Sequence, residues 1–451
     1  MKKFFAFISA LLLSLPQMAQ IERPSLVVGL VVDQMRWDYL FYYYNQFQKD
    51  CLRRFVDQGF SFENTFINYV PAVTAVGHSS IYTGSIPAFT GIVSNSFRMN
   101  GQKVYCCADT TVQSVGSNSR EGQMSPRNLL ASGIGDELKL ATDFKSKVIG
   151  VSLKDRSAIL PAGHGADAAY WWDTSAGHFV SSTYYMQELP EWVTRENQNI
   201  ATKPGTEVKT SVMGVTKTFQ MAEAALKNEQ MGKDDITDLL TISVSSTDAL
   251  AHNFGTRGKE NFDSFMELDR QVARFFKALD EQVGRGKYLV FLSADHGGPH
   301  NHNFLTEHKM AAGGLDMGKK LKAIEADLVK ELGISPIIIG HTDCKIYLDH
   351  EAIERGGKTI EEVRAAVCRK LEENENIMFA VDYDKVMESS IPQYLREMII
   401  NGYNKKRSGD VIYVARADWE NVPASKNFKG NTHGQWNPYD THIPFALYGW
   451  G

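Results

Sequence analysis

The sequence is poor in several things that would commit it to common functional classes. Only five of its 451 residues are cysteine: Cys51, Cys106, Cys107, Cys344 and Cys368. No C-x-x-C pair occurs among them, which argues against a cysteine zinc site. In an oxidising compartment up to four can pair, leaving one free or bonded to another chain. Neighbouring Cys106 and Cys107 are poor partners for each other, because adjacent Cα atoms sit closer than disulfide geometry allows. There is no basic surplus: 48 Lys and Arg stand against 53 Asp and Glu, a net charge of −5, so nucleic acid is not an expected partner. Repeats and low-complexity tracts are absent. No G-x-G-x-x-G follows the first strand-like run, where "VVDQMRWDY" stands instead, which sets aside a dinucleotide-binding dehydrogenase.

Long apolar runs are also missing, with one exception at the N-terminus. "MKKFFAFISALLLSLPQMAQ" places Lys2 and Lys3 before an apolar stretch from Phe4 to about Leu15, followed by Pro16 and the small Ala19. This is the layout of a secretory signal peptide over residues 1–19, too short to span a membrane comfortably. Its loss lowers the basic count to 46 and the net charge to −7. The expected mature protein is periplasmic or secreted, monomeric, and free of the membrane.

What is present is a large apolar content, 43% of residues, enough to bury an extensive core. Four short, β-branched runs look like strands covered on both faces: "SLVVGLVVD", "KVIGVSLKDR", "LLTISVSSTD" and "KYLVFLSADHG". Helical patterns separate them, such as "GVTKTFQMAEAALKNEQM" and "ENFDSFMELDRQVARFFKALDEQV". The alternation predicts an α/β fold, a doubly wound, mostly parallel sheet sandwiched by helices. The core is expected over 24–299 and 405–451, with insertions near 96–130 and 160–210, where Trp171 and Trp172 pack. The helix-rich, charged stretch 300–404 is expected to form an inserted α+β cap.

Three of the four runs end in Asp and the fourth in Lys-x-Arg, and open α/β sheets bind ligands outside the carboxyl ends of their strands. Asp33 ends the first run, and Asp38 is better placed to cap the next helix. "STDALAHNFG" sets Asp248 and His252 four apart, on one face if a helix begins there. "SADHGG" joins Asp295 and His296 to glycines that permit close backbone approach. "GNTHGQW" offers His433, with His442 in "DTHIPF" as a competitor. Singly, each has an ordinary structural explanation as a cap, a turn or a loop histidine. Together they are oxygen and nitrogen donors that suit zinc, enough for two ions about 4 Å apart. In "VPAVTAVGHSSIYTGSIPAFTGIVSN", Thr74 has no base beside it, and such ions would activate its hydroxyl. His300, His302 and His308 read as a polar loop rather than a third metal site, and His164 as an entrance residue.

The set of a strand-end Asp, a Thr at a helix start, D-x-x-x-H, D-H-G and a late H-G, in that order from Asp33 to His433, resembles the alkaline phosphatase superfamily. The resemblance implies one zinc on Asp248, His252 and His433, and a second on Asp33, Asp295 and His296, reached by Thr74. "GIVSN" and "VSLKDRSAILPAGHGADAAYWWD" are similar to its phosphate-irrepressible branch, in which an Asn, a Lys and an Arg contact the phosphoryl group. Those positions are Asn95, Lys154 and Arg156 here, the last two taken to lie on one side of an extended segment. The expected activity is hydrolysis of phosphate monoesters through a phosphothreonine, with inorganic phosphate as product. A phosphodiesterase or nucleotide pyrophosphatase of the same superfamily is the alternative. A sulfatase is not expected, since neither C-x-P-x-R nor S-x-P-x-R occurs. Members of this superfamily usually continue past the strand matched by "IPFALYGWG" into further helix.

Overall fold

A computed structural model describes residues 22–450. The expected signal peptide lies outside the described residues. The four apolar runs become four neighbouring parallel strands, ordered Tyr288–Ser293, Leu26–Val32, Asp238–Val244 and Val148–Ser152. Leu26–Val32 and Asp238–Val244 are buried along almost their whole length, which is why the first shows no alternation and the polar Thr241 and Ser243 of the second are buried with their apolar neighbours. The helices Met213–Asn228 and Lys259–Gln282 cover one face through Phe219, Phe265, Val272 and Phe276. Thr74–Thr83 and Asp155–Ala162 carry buried faces on the other side of the molecule's main core.

The sheet is wider than its four readable strands. Ala168–Asp173 adds in parallel beside Val148–Ser152, and His178–Ser182 follows antiparallel. Ser114–Val115 pairs antiparallel beyond His178–Ser182, and at the opposite edge Phe445–Tyr448 and Phe60–Phe62 pair antiparallel, which completes nine strands. The expected insertion at 160–210 is therefore corrected, because its first part is main sheet. Trp171 and Trp172 sit on one such strand and are buried on its opposite faces, each 1% exposed. The insertion at 96–130 does contain an independent hairpin, Ser96–Met99 with Gln102–Tyr105.

The cap is a four-stranded antiparallel sheet, ordered Ile338–Thr342, Lys345–Leu348, Val411–Ala415 and Ile377–Asp382. Helices Met317–Leu332 and Ile360–Glu372 pack on it. Its boundary at residue 404 is also corrected. Val411–Ala415 is an inner strand of the cap sheet, paired on both sides, so the cap continues beyond that point. All five cysteines are free thiols, and none of the pairings open to them is formed; Cys51, Cys106 and Cys107 are buried. The Sγ atoms of Cys106 and Cys107 are 4.0 Å apart, well beyond bonding distance. No helix among the described residues is long and apolar enough to cross a membrane.

Candidate active site

Register places the chemistry. Val31 is level with Ser243 and Ser293 on its two neighbours, so these strands release their chains at one rim. Asp33 leaves the first strand, Asp295 and His296 leave the second, and Ser246–Phe254 turns directly into a helix after the third. On that helix Asp248 and His252 share a face, with His252 Nε2 3.2 Å from Asp248 Oδ1. His433 arrives from a late loop, its Nε2 3.5 Å from the same oxygen and its ring stacked on His296 at 3.5 Å. His296 Nε2 lies 3.5 Å from Asp33 Oδ1. Lys154 sits between the carboxylates, its Nζ donating to Asp33 Oδ2 and Asp248 Oδ2 at 2.6 Å each.

The three histidines share one arrangement. Nδ1 of His252, His433 and His296 meets the carbonyl oxygens of Asn431, Ala72 and Gly297 respectively, each at 2.9 Å. A carbonyl only accepts, so Nδ1 carries hydrogen and Nε2 is the nitrogen turned toward the carboxylates, the one that a metal ion would take in place of a proton. Asp33 Oδ1, Asp295 Oδ2 and His296 Nε2 are buried with no hydrogen-bond partner. Such orphan acceptors are rare and call for a cation. Charge points the same way, since Asp33, Asp248 and Asp295 are buried together and only the first two meet the Lys154 ammonium.

The pKa directions record this strain. Burial, then Asp248 and Asp295, lift Asp33 to about 6. Burial opposes the charge on Asp248, but His252 and Lys154 outweigh it and hold that carboxyl well below its ordinary range. Burial also opposes the charges on Lys154 and His433. The paired carboxylates overcome it for Lys154, and Asp248 lifts His433 to about 9. Burial drives His296 well down, keeping it neutral.

Two donor groups therefore converge, Asp248 with His252 and His433, and Asp33 with Asp248 and His296. The first is the set expected from sequence. The second has Asp248 where Asp295 was expected. Asp295 Oδ1 accepts from the main-chain nitrogens of Gln34 and His296 at 3.2 and 3.1 Å, and its Oδ2 stands 3.6 Å from His296 Nε2. Asp295 thus borders the group.

Thr74 is buried and begins the helix Thr74–Thr83, after Val73 in extended conformation. His78, one turn on, meets Thr74 O through Nδ1 at 2.9 Å and Ser243 Oγ through Nε2 at 2.8 Å. It therefore braces the helix start and faces the Thr74 carbonyl rather than its hydroxyl. Asn95 Oδ1 accepts from the Ala75 amide at 2.9 Å, which leaves the Asn95 NH2 group as donor. Lys154 and Arg156 do not lie on an extended segment as expected. Asp155 begins a helix, so Lys154 is its cap residue and Arg156 lies in its first turn. Arg156 donates to Tyr105 OH at 3.2 Å, and its buried Nε has no partner.

The other histidines fall elsewhere. His442 is stacked between Trp37 and Phe66 with Nε2 on Glu63 O. His300 meets Thr256, and His302 is stacked on Phe428. His164 is held by Asp136 and Leu129 O, a brace rather than an entrance residue. Asp38 precedes a short helix without capping it and pairs with Arg36 instead.

Three contributors were not legible in the sequence: His78, Gln34 and Asp440. Gln34 occupies the left-handed region at φ 61, uncommon outside glycine, and donates through Nε2 to Asp248 Oδ1 at 3.0 Å. Asp440, which burial lifts to about 7, accepts from Gln435 N at 2.7 Å and fixes the His433 loop. The glycines of D-H-G allow backbone, not ligand, to approach: a Cβ on Gly297 would overlap Tyr439 O. On Gly77 it would overlap the Asp295 carbonyl. Gly77→Ala is expected to lower stability by about 1–3 kcal/mol, read by denaturant melts, because the clash is with main chain.

A model of the family described as type I phosphodiesterase / nucleotide pyrophosphatase matches residues 27–439. The chain belongs to that family. Among relatives of this phosphodiesterase-family chain, a protein named calcium-transporting ATPase from Myroides odoratus is 42% identical, covering 96% of this chain and 88% of the relative. Alkaline phosphatase PafA of Elizabethkingia meningoseptica is 41% identical, with the same 96% and 88% coverage. A crystal structure of wild-type PafA superposes with a TM-score of 0.91 at 41% identity, over 96% of this chain and 92% of that one. A PafA variant with a Thr, an Asn, a Lys and an Arg substituted gives a TM-score of 0.90 at 40% identity, with the same coverage.

Proposed function

We propose that the chain hydrolyses phosphate monoesters through a phosphothreonine on Thr74, with two zinc ions held by Asp33, Asp248, His252, Asp295, His296 and His433. The observation that carries this reading is the buried convergence of three carboxylates with three imidazoles whose Nδ1–H groups are fixed on carbonyls. The 41% likeness to an alkaline phosphatase over nearly the whole chain supports the substrate class. The substituted residue types of the PafA variant correspond to Thr74, Asn95, Lys154 and Arg156, which supports their roles.

The ions, when bound, would supply the positive charge that makes the Thr74 hydroxyl and water nucleophilic and that stabilises the departing oxygen. The chain's own residues do the rest. Thr74 Oγ1 gives up its proton and forms a bond to phosphorus as the P–O ester bond breaks, and the leaving oxygen takes up a proton and departs as the alcohol. Water then attacks from the opposite side, releasing inorganic phosphate and restoring the hydroxyl. Asn95 donates its NH2 group to the phosphoryl oxygens, positioned by its bond to Ala75. His78 keeps the helix start in place.

A monoester dianion carries one more charged oxygen than a diester, and Lys154 and Arg156 are the groups to meet it. Substituting both by Ala is expected to lower kcat/KM for p-nitrophenyl phosphate by about 10²–10³-fold. The rate on bis-p-nitrophenyl phosphate should change far less. A monoester preference that survives both substitutions removes these residues from the assignment. The family name keeps phosphodiester hydrolysis as the second reading, favoured if the diester is the better substrate of the unsubstituted chain. Export through the N-terminal leader is part of the proposal, tested by N-terminal sequencing of the mature protein.

A further inference from the structure

The segment leading to Asn95 is gripped from the cap. The hairpin formed by Ile338–Thr342 and Lys345–Leu348 turns at Asp343, whose φ of 54 is a left-handed conformation that Asp and Asn tolerate best among non-glycine residues. Asp343 Oδ2 accepts from the buried Ser94 Oγ at 2.6 Å, and its main-chain oxygen accepts from Tyr413 OH at 3.0 Å. Two residues on, Lys345 is fully buried and donates to Val93 O at 2.9 Å and Gly402 O at 3.1 Å.

Both acceptors are neutral main-chain carbonyls, so this ammonium is held in the interior without a directly bonded carboxylate. Burial lowers it to about 8. An apolar side chain of similar length would fill the space at less desolvation cost. What the lysine adds is a directed hold on Val93. Its second acceptor extends that hold. Gly402 packs against Val70 so closely that a Cβ would overlap Val70 O, and Val70 N donates to Met398 O at 3.2 Å. One buried cation thus ties together the cap, the irregular segment before Asn95 and the loop that runs into Thr74.

The chain of bonds continues inward. Asn95 O accepts from Cys106 N at 3.0 Å, and Asn95 Oδ1 accepts from Ala75 N at 2.9 Å. We infer that the cap turn Asp343–Lys345 positions Asn95, through Ser94 and Val93, so that the cap sets the rate without touching the phosphoryl group. This rests on the proposed role of Asn95. Asp343, Ser94 and Lys345 are positioning residues, since each acts through another group.

A double-mutant cycle with p-nitrophenyl phosphate separates positioning from stability. Ser94→Ala removes one hydroxyl, and is expected to lower kcat/KM by about tenfold while the thermal midpoint moves little. In an Asn95→Ala background the same change should add less than about twofold. Asp343→Asn, which keeps an acceptor oxygen and suits the left-handed backbone, should hold kcat/KM within about twofold of the parent. Lys345→Met should follow Ser94→Ala in both backgrounds; if that variant fails to fold, the Ser94 arm decides. Equal losses in the two backgrounds, or no loss from Ser94→Ala in the parent, would overturn the inference while leaving the role of Asn95 intact. An Asn95→Ala variant with full activity would instead remove the role of Asn95, and the inference with it.

Discussion

Thr74→Ala is expected to lower kcat/KM for p-nitrophenyl phosphate by about 10³-fold or more. The physical case is that its hydroxyl has no substitute. The nearest imidazole on its own helix, His78, has both nitrogens engaged, on Thr74 O and Ser243 Oγ. It can neither activate another nucleophile there nor replace the threonine. The fold has little reason to resist the change. Thr74 begins a helix, a position where Ala is no worse in propensity, and the lost volume is one hydroxyl and one methyl. A rate collapse with a nearly unchanged thermal midpoint is therefore the expected pairing. Thr74→Ser keeps the hydroxyl and should retain activity within about tenfold. Acid quench during turnover, followed by peptide mass analysis, should find phosphate on the peptide carrying Thr74 and none after Thr74→Ala. Turnover by Thr74→Ala at near the parental rate would reassign the nucleophile to water.

Much of the frame was legible because burial on both faces leaves a plain mark. Leu26–Val32 is a continuous apolar run and Asp238–Val244 is buried throughout, and the acids that follow them stand out against that background. Asp248 and His252 were readable for a different reason, since helix periodicity alone makes positions four apart neighbours. The missed parts depend on distant chain. Gln34 looks like any strand-end residue until its left-handed backbone and its bonds to Asp248 and Asp295 are seen. Val411–Ala415 reads as a core strand by composition, and only its pairing with Lys345–Leu348 assigns it to the cap. Ala168–Asp173 is a main-sheet strand whose bulk is aromatic rather than aliphatic, so it lacks the β-branched run that marks the other parallel strands, although every residue in it is buried. The K-x-R pair shows local geometry overriding a spacing rule. A helix beginning at Asp155 gives the two cations different partners, Lys154 on the carboxylates and Arg156 on Tyr105.

Asp248 carries the second large expectation, because it alone belongs to both donor groups. Its Oδ1 faces His252, His433 and Gln34, and its Oδ2 faces Lys154. Asp248→Asn keeps the volume and one acceptor oxygen but removes a full charge from the site. The metal content of protein purified with zinc is expected to fall from about two ions per chain to one or fewer, measured by plasma mass spectrometry. Activity should fall by about 10³-fold, beyond the 10–100-fold typical of residues that only orient a ligand. His252→Ala separates the groups, for it touches only the first and should cost about one ion. The fold should persist in both variants, since the strands that deliver Asp33, Asp248 and Asp295 pair through main chain whatever stands at their ends. Two tightly held ions in Asp248→Asn would mean that Asp33, Asp295 and the imidazoles suffice without it, and the shared-carboxylate arrangement would then be wrong.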